Sequence, residues 1–487
     1  MASTGEISRA TKDKLYRISS QVDWSDLGRE VKTADLVKNE TWKAMITRIP
    51  LPATVLVEDP YVDYFFRDTY YAYFSGKHSP VSRDCIRLSI FQSIDIEWED
   101  FFSVEGQKRI QESFVGLAIL RDLRRPFGRL LLDARKLNLP EMYVRLTEYE
   151  VVIRGVHIAF QSYPFASQDG EMMTCAETTL WSIADYYGHR YPEYKISSPS
   201  EIQALVKRTS FERTIPSTGL NYMQITSVLR EMGFSPKVYS RFTNASSTQE
   251  LYPDGKFHRI LHYYVESGIP IIVGITGGQN GKPYNHAVVF VGHKANDITN
   301  RAPRNTGSLC IVDAIPDDYV MMNDNLSPFE LSSFSAPIPG VDESRIKYII
   351  VPLYKRIHLE AAQASDIFHT FLSSPDHGIK MDDKLSLENP LVLRIFLTSS
   401  RKYKSFRATR SNRLFAKHLL DLPLPKFIWV AELSTRALYA SGKACGELIL
   451  DATESINAGQ NSLLMVHYPG SSVSDIPTNP LLICLKR

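Results

Sequence analysis

The sequence predicts an α+β protein, with helices preceding strands in a central region and a further α+β region on each side. Three observations carry this. The 487 residues exceed what one ordinary hydrophobic core organises. Between about 165 and 354, four helix-like segments precede four short apolar runs, the order of an α+β domain with a largely antiparallel sheet. The flanking stretches carry strand-like runs of their own, and no fixed-period repeat links them. The expected division is 1–160, 161–354 and 355–487.

In the first region, 61–91 is dense in aromatics and ends in an alternating run, and 114–123 and 128–137 look like further strands. Residues 143–165 read as paired strands leading into the central region. No catalytic constellation is visible there. In the central region a helix is expected to start near Thr174, with Leu180, Ile183, Ala184 and Tyr187 on one face and Gly188 as its stop. The stretch 198–209 has Ser198, Pro199 and Glu201 as start signals. Helices are expected over 217–234, closed by Gly233, and over 256–268. Strands follow at 269–275, 286–294, 308–315 and 347–354. The third region opens with a helix over 355–372 and continues with strands at 391–400, 426–435, 445–453 and 461–470.

Composition narrows the function classes. A net charge of +2 gives no global reason to bind nucleic acid, and 44% hydrophobic with 23% charged residues is that of a folded chain. The longest apolar runs fall well below the ~18–20 residues that span a bilayer. The polar N-terminal stretch lacks the apolar segment of a secretory signal, so a cytoplasmic location without a membrane span is expected. Cys85, Cys175, Cys310, Cys445 and Cys484 are widely spaced without a CxxC pair. That argues against a disulfide framework or a thiolate zinc site and leaves a reactive thiol as the special case.

Acyl transfer by cysteine needs a favoured thiolate, a histidine in reach, a group that orients the imidazole, and donors for the oxyanion. Cys175 lies at an expected helix N-terminus, where unpaired N–H groups and the helix dipole favour a thiolate. His286 opens the strand "HAVVFVGH", and Asp313 ends the next one, "CIVDAI". Asp317, Asp318 and Asn285 are alternatives to Asp313, while His293 is an alternative base expected on the opposite strand face. Gln168, in the loop before Cys175, can join the Cys175 N–H in an oxyanion hole.

Gln168, Cys175 before a helix ending in Tyr187-Gly188, "NHAVV" and "VDA" together resemble the papain-like cysteine peptidase superfamily. The branch they are most similar to is the leader-cleaving peptidase domains of bacteriocin exporters. Ala176 stands where that branch has glycine, and the interval from Gln168 is one residue longer. The resemblance covers the central region alone. It implies a papain-like central domain and a thiol protease acting on a protein or peptide, with Cys175 as nucleophile, His286 as base, Asp313 as orienter and Gln168 as oxyanion donor. No metal or organic cofactor is implied. Alternatives are an acyl/amine transferase of transglutaminase-like type and a non-catalytic papain-fold binding or scaffold protein. A basic segment, 401–418, with interleaved Tyr403, Phe406 and Phe415, is a second candidate, for polyanion contact.

Overall fold

A computed structural model describes residues 13–31, 36–93, 95–243, 249–295, 298, 301–306, 309–374, 389–411, 413–455, 459, 461–467, 476–477 and 481–485. The start of the polar N-terminal stretch and the end of the expected 461–470 strand lie outside these residues.

The first sheet is antiparallel and six-stranded, in the order Lys14–Ile18, Ala53–Tyr61, Cys85–Phe91, Phe114–Leu120, Phe127–Leu132, Phe165–Ala166. Its interior strands are apolar almost throughout, because both faces are covered. The central sheet runs Ser235–Ser240, Asp342–Leu353, Ile271–Gln279, Lys282–Lys294, Asp318–Met322, Glu330–Ser333. The third joins Arg304–Thr306, Leu309–Asp313, Leu391–Ser399, Phe427–Ser434, Gly446–Asp451 and Leu463–His467. The fold is therefore mixed α+β with several antiparallel sheets, as the order of segments predicts.

The sheets do not follow the expected divisions of the chain. Met142–Val144, from the first region, and Ile483–Leu485, near the C-terminus, both attach to the central sheet. Leu309–Asp313 leaves it and pairs in parallel with Leu391–Ser399. Packing explains the departure: Leu309 and Ile311 are buried among Leu391, Leu393 and Trp429. The strand Lys282–Lys294 is thus shared between two cores. Ala287, Val289 and Val291 face the core that contains the helix Cys175–Arg190, while Val288 and Phe290 face the other.

Gly292 is where Met142–Val144 docks. A Cβ at this position would lie 2.0 Å from the Tyr143 carbonyl oxygen and 2.9 Å from the Val144 Cα, so the seam needs a residue without one. Gly292→Ala is expected to lose about 1–3 kcal/mol of stability by forcing the strands apart. Denaturant unfolding checks this, and an unchanged midpoint would show that the seam relaxes freely.

Three helix boundaries differ from expectation: the helix expected from 355 starts only at Ala361, and two others lie nearer the candidate site. Gly188 does not stop its helix, which runs on to Arg190. Its role is proximity: a Cβ there would meet Ile196 Cγ1 at 2.5 Å and the Ile196 nitrogen at 2.8 Å. The third helix begins only at Tyr222, capped by Asn221, whose side chain accepts from the Gln224 N–H. Residues 217–221 form a loop instead, and that loop borders the candidate site.

The basic segment forms two helices, Ser400–Arg410 and Arg413–Asp421. Tyr403 and Arg407 turn inward, where Arg407 pairs with Glu432 and Glu447. Lys404 donates to the carbonyls of Leu420 at 2.9 Å and Leu422 at 2.5 Å, and Phe415 stacks on His467. Lys404, Arg407, Tyr403 and Phe415 therefore serve packing. No described helix is long and apolar enough to cross a membrane.

Candidate active site

The loop before Cys175 is built by Asp169. Its Oδ1 accepts from the backbone N–H groups of Glu171, Met172 and Met173, at 2.8–3.0 Å. Gly170, at φ +82°, supplies the left-handed residue of that turn. The extra residue between Gln168 and Cys175 is taken up here. Arg121, fully buried, donates to the carbonyls of Ser167 and Gln168, both at 2.9 Å, and so fixes the strand end from which the loop departs.

The helix starts at Cys175 because Thr174 and Glu177 cap it. The Thr174 N–H donates to Glu177 Oε2 at 3.2 Å, and the Thr174 hydroxyl donates to the same oxygen. The other Glu177 oxygen accepts from the Ser217 hydroxyl at 2.5 Å, tying the loop 217–221 to the cysteine. The helix packs on the strand Lys282–Lys294, where the Thr179 hydroxyl donates to the Ala287 carbonyl at 3.3 Å. Cys175 and His286 thereby line one cleft of about 540 Å³, together with Asn285, Tyr222, Gly274 and Tyr348. Gly274 makes room for the Tyr348 ring, which a Cβ would meet at 2.2 Å.

His286 is oriented by a segment that sequence reasoning missed, Asn323-Asp324-Asn325, directly after the strand Asp318–Met322. Its Nε2 lies 2.9 Å from Asn323 Oδ1, 3.4 Å from Asp324 Oδ1 and 3.4 Å from Asn325 Nδ2. The amide directions can be assigned from their other partners. Asn323 Oδ1 also accepts from the Asn325 backbone N–H at 3.0 Å, so it is the oxygen that faces the ring. The proton of His286 is thus on Nε2, donated to Asn323, which leaves Nδ1 as the basic nitrogen.

Asp313 is not part of this arrangement. It lies in the third sheet, where Arg304 Nη2 donates to its Oδ2 at 2.5 Å and His369 Nε2 is 3.7 Å from its Oδ1. The strand before it reads correctly, but its partner strand places it on another sheet. Asp317 and Asp318 also pair elsewhere, with Arg301 and Lys294. Asn285 lines the cleft. His293 faces the helix Lys256–Glu266 and bonds Glu266 at 2.8 Å, beyond a register shift between Phe290 and Gly292.

Gln168 is buried, and its Nε2 donates to Asn325 Oδ1 at 2.7 Å, an oxygen that also accepts from Arg125 Nη1 at 2.8 Å. It is not among the residues lining the cleft. The structure therefore links Gln168 to the orienting segment of His286, and through it to the ring. A polar triplet directly after a short strand was the signal for this segment; "PDDYVMMNDN" hides it, because its two leading acids compete for the same role.

The electrostatics favour a neutral resting thiol. Burial pushes the Cys175 thiol up to about 12, Asp324 and Glu177 push in the same direction, and the N–H groups of Ala287 and Ala176 only partly oppose them. Burial also raises Asp324 to about 6, against the attraction of His286 and Arg125. Both Asp324 oxygens are buried without a hydrogen-bond partner among the described residues.

Compared with known proteins, the chain matches no family model and no curated protein.

Proposed function

We propose that the chain is a thiol-dependent acyl-transfer enzyme, a cysteine peptidase cleaving a peptide or isopeptide bond with Cys175 as nucleophile. The observation that supports this most is the shared cleft. A cysteine at a capped helix N-terminus borders it, and so does a histidine whose tautomer is set by Asn323. In this reading Cys175 Sγ attacks the carbonyl carbon as its proton passes to His286 Nδ1. Asp324, 3.4 Å from Nε2, stabilises the imidazolium that forms. The backbone N–H groups at the helix start receive the oxyanion. The imidazolium then protonates the leaving amine, and water resolves the thioester. The order Cys, His, Asn/Asp on helix, strand and following turn is similar to that of the papain-like superfamily, with Asn323 and Asp324 in the place first expected for Asp313.

A peptidyl vinyl sulfone tests the reading. Mass spectrometry is expected to find the adduct on Cys175 and not on Cys310, Cys445 or Cys484, with loss of the adduct in His286→Ala. Labelling spread evenly over the cysteines, or unchanged in His286→Ala, would sink the proposal.

A further inference from the structure

The far end of the cysteine helix carries a second cluster, on which the proposed catalysis does not draw. Tyr191 caps that helix, its N–H donating to the Tyr187 carbonyl at 2.9 Å. Three cations converge on its side chain. Arg190 Nε donates to the Tyr191 hydroxyl at 3.3 Å. Arg145, which donates to the Tyr186 hydroxyl at 2.7 Å, also reaches Tyr191. Lys402 Nζ, from the basic segment, stands 5.9 Å from the centre of the Tyr191 ring.

Among the described residues the cluster lacks an acid. Arg145 and Arg190 are steadied by neutral carbonyls, those of Leu481 at 2.6 Å and Leu146 at 3.2 Å. Among the described residues, no carboxylate pairs with Arg145, Arg190 or Lys402. Arg121 is likewise held by carbonyls alone, but it is single and fully buried, whereas three other inward-facing guanidiniums are each paired with carboxylates. Arg394 pairs with Glu266 and Glu432, Arg407 with Glu432 and Glu447, and Arg129 with Asp63. The helix C-terminus supplies only about half a negative charge. More than two positive charges are left facing one another, and the group is open to solvent, with Lys402 exposed and Arg190, Arg145 and Tyr191 half-buried.

We propose that Arg145, Arg190 and Lys402 form a binding site for a phosphate group. Two guanidiniums held by neutral carbonyls and one exposed ammonium suit a tetrahedral dianion, the guanidiniums giving direction and the lysine charge. The free site leaves a mark on Tyr191. Burial raises its phenol, but Arg145, Lys402 and Arg190 pull it down past the ordinary value to about 8. A bound phosphate offsets that field and returns the phenol toward its ordinary range.

The experiment uses the full chain and inorganic phosphate at about 10 mM, with chloride-matched ionic strength as control. Tyrosinate absorbance near pH 8, taken as the difference between wild type and Tyr191→Phe, separates Tyr191 from the other tyrosines. Phosphate is expected to diminish that signal and to raise the melting temperature. Lys402→Gln and Arg190→Gln, both on partly or wholly exposed side chains, are each expected to weaken the effect about tenfold. The proposal is overturned if phosphate changes neither readout, if chloride matches it, or if both variants respond like wild type. A response to a short oligonucleotide with inorganic phosphate inert would also overturn it, because the site would then need a polyanion.

Discussion

Iodoacetamide is expected to alkylate Cys175 at pH 8 about a thousandfold more slowly than it alkylates an ordinary solvated thiol. The reason is the thiol at about 12 against its ordinary 9.0, a gap of about three pH units in thiolate population. Burial is the main cause and Asp324 the second, so the helix N-terminus does not by itself deliver a thiolate. The rate should climb tenfold per pH unit through pH 9 without a plateau. A plateau near pH 6–7, as a preformed thiolate–imidazolium pair would give, overturns this account of the resting site. A peptidyl electrophile behaves differently, because it fills the cleft and accepts sulfur as the proton moves to His286. Its reaction with His286→Ala is expected to fall by about 10²–10⁴, the usual range for a positioned general base. The contrast between the two reagents separates a thiol activated by substrate from one that is always ionised.

Much of this site was legible in local sequence. Thr174 and Glu177 form a capping pair spaced three apart, and a cysteine between them must sit in the first helical turn. His286 begins an apolar run, which sets it at a sheet rim. What local sequence does not contain is the choice of neighbour. "LCIVD" is an evident strand, but Ile311, Val312 and Asp313 pair with residues 391–393, some eighty positions on, and the acid leaves with them. The orienting residues instead follow "DYVMM", a strand of five residues that pairs with the histidine strand itself. Gln168 was placed correctly in a loop ahead of the helix, yet its amide goes to Asn325, a contact across 157 positions. The central sheet crosses the expected limits for the same reason: Met142–Val144 joins it through Gly292, and nothing in a three-residue strand announces that.

Asp324→Asn is expected to move stability and activity in opposite directions. The folded protein holds this carboxyl at about 6, above the 3.8 of an exposed aspartate, so ionising it opposes folding. Below about pH 3 the group is protonated in both states and the opposition vanishes. It grows as pH rises from about 3 to 6 and is complete above that. Replacing the carboxylate with a neutral amide of the same shape removes it, a gain of up to about 3 kcal/mol at pH 7.5 and only about 0.5 kcal/mol at pH 4. Catalysis should lose about tenfold to a hundredfold in kcat/KM, because the imidazolium formed at His286 then lacks the negative charge 3.4 Å from Nε2. In the wild type the same titration should make activity fall as pH drops through about 6. Urea unfolding at the two pH values, beside turnover of a peptide substrate, measures both effects. If the asparagine variant is less stable at pH 7.5, the carboxylate is a structural member of the His286 network and its catalytic assignment fails. If it is more stable and slower, a destabilising charge has been kept in the core for what it does to the histidine.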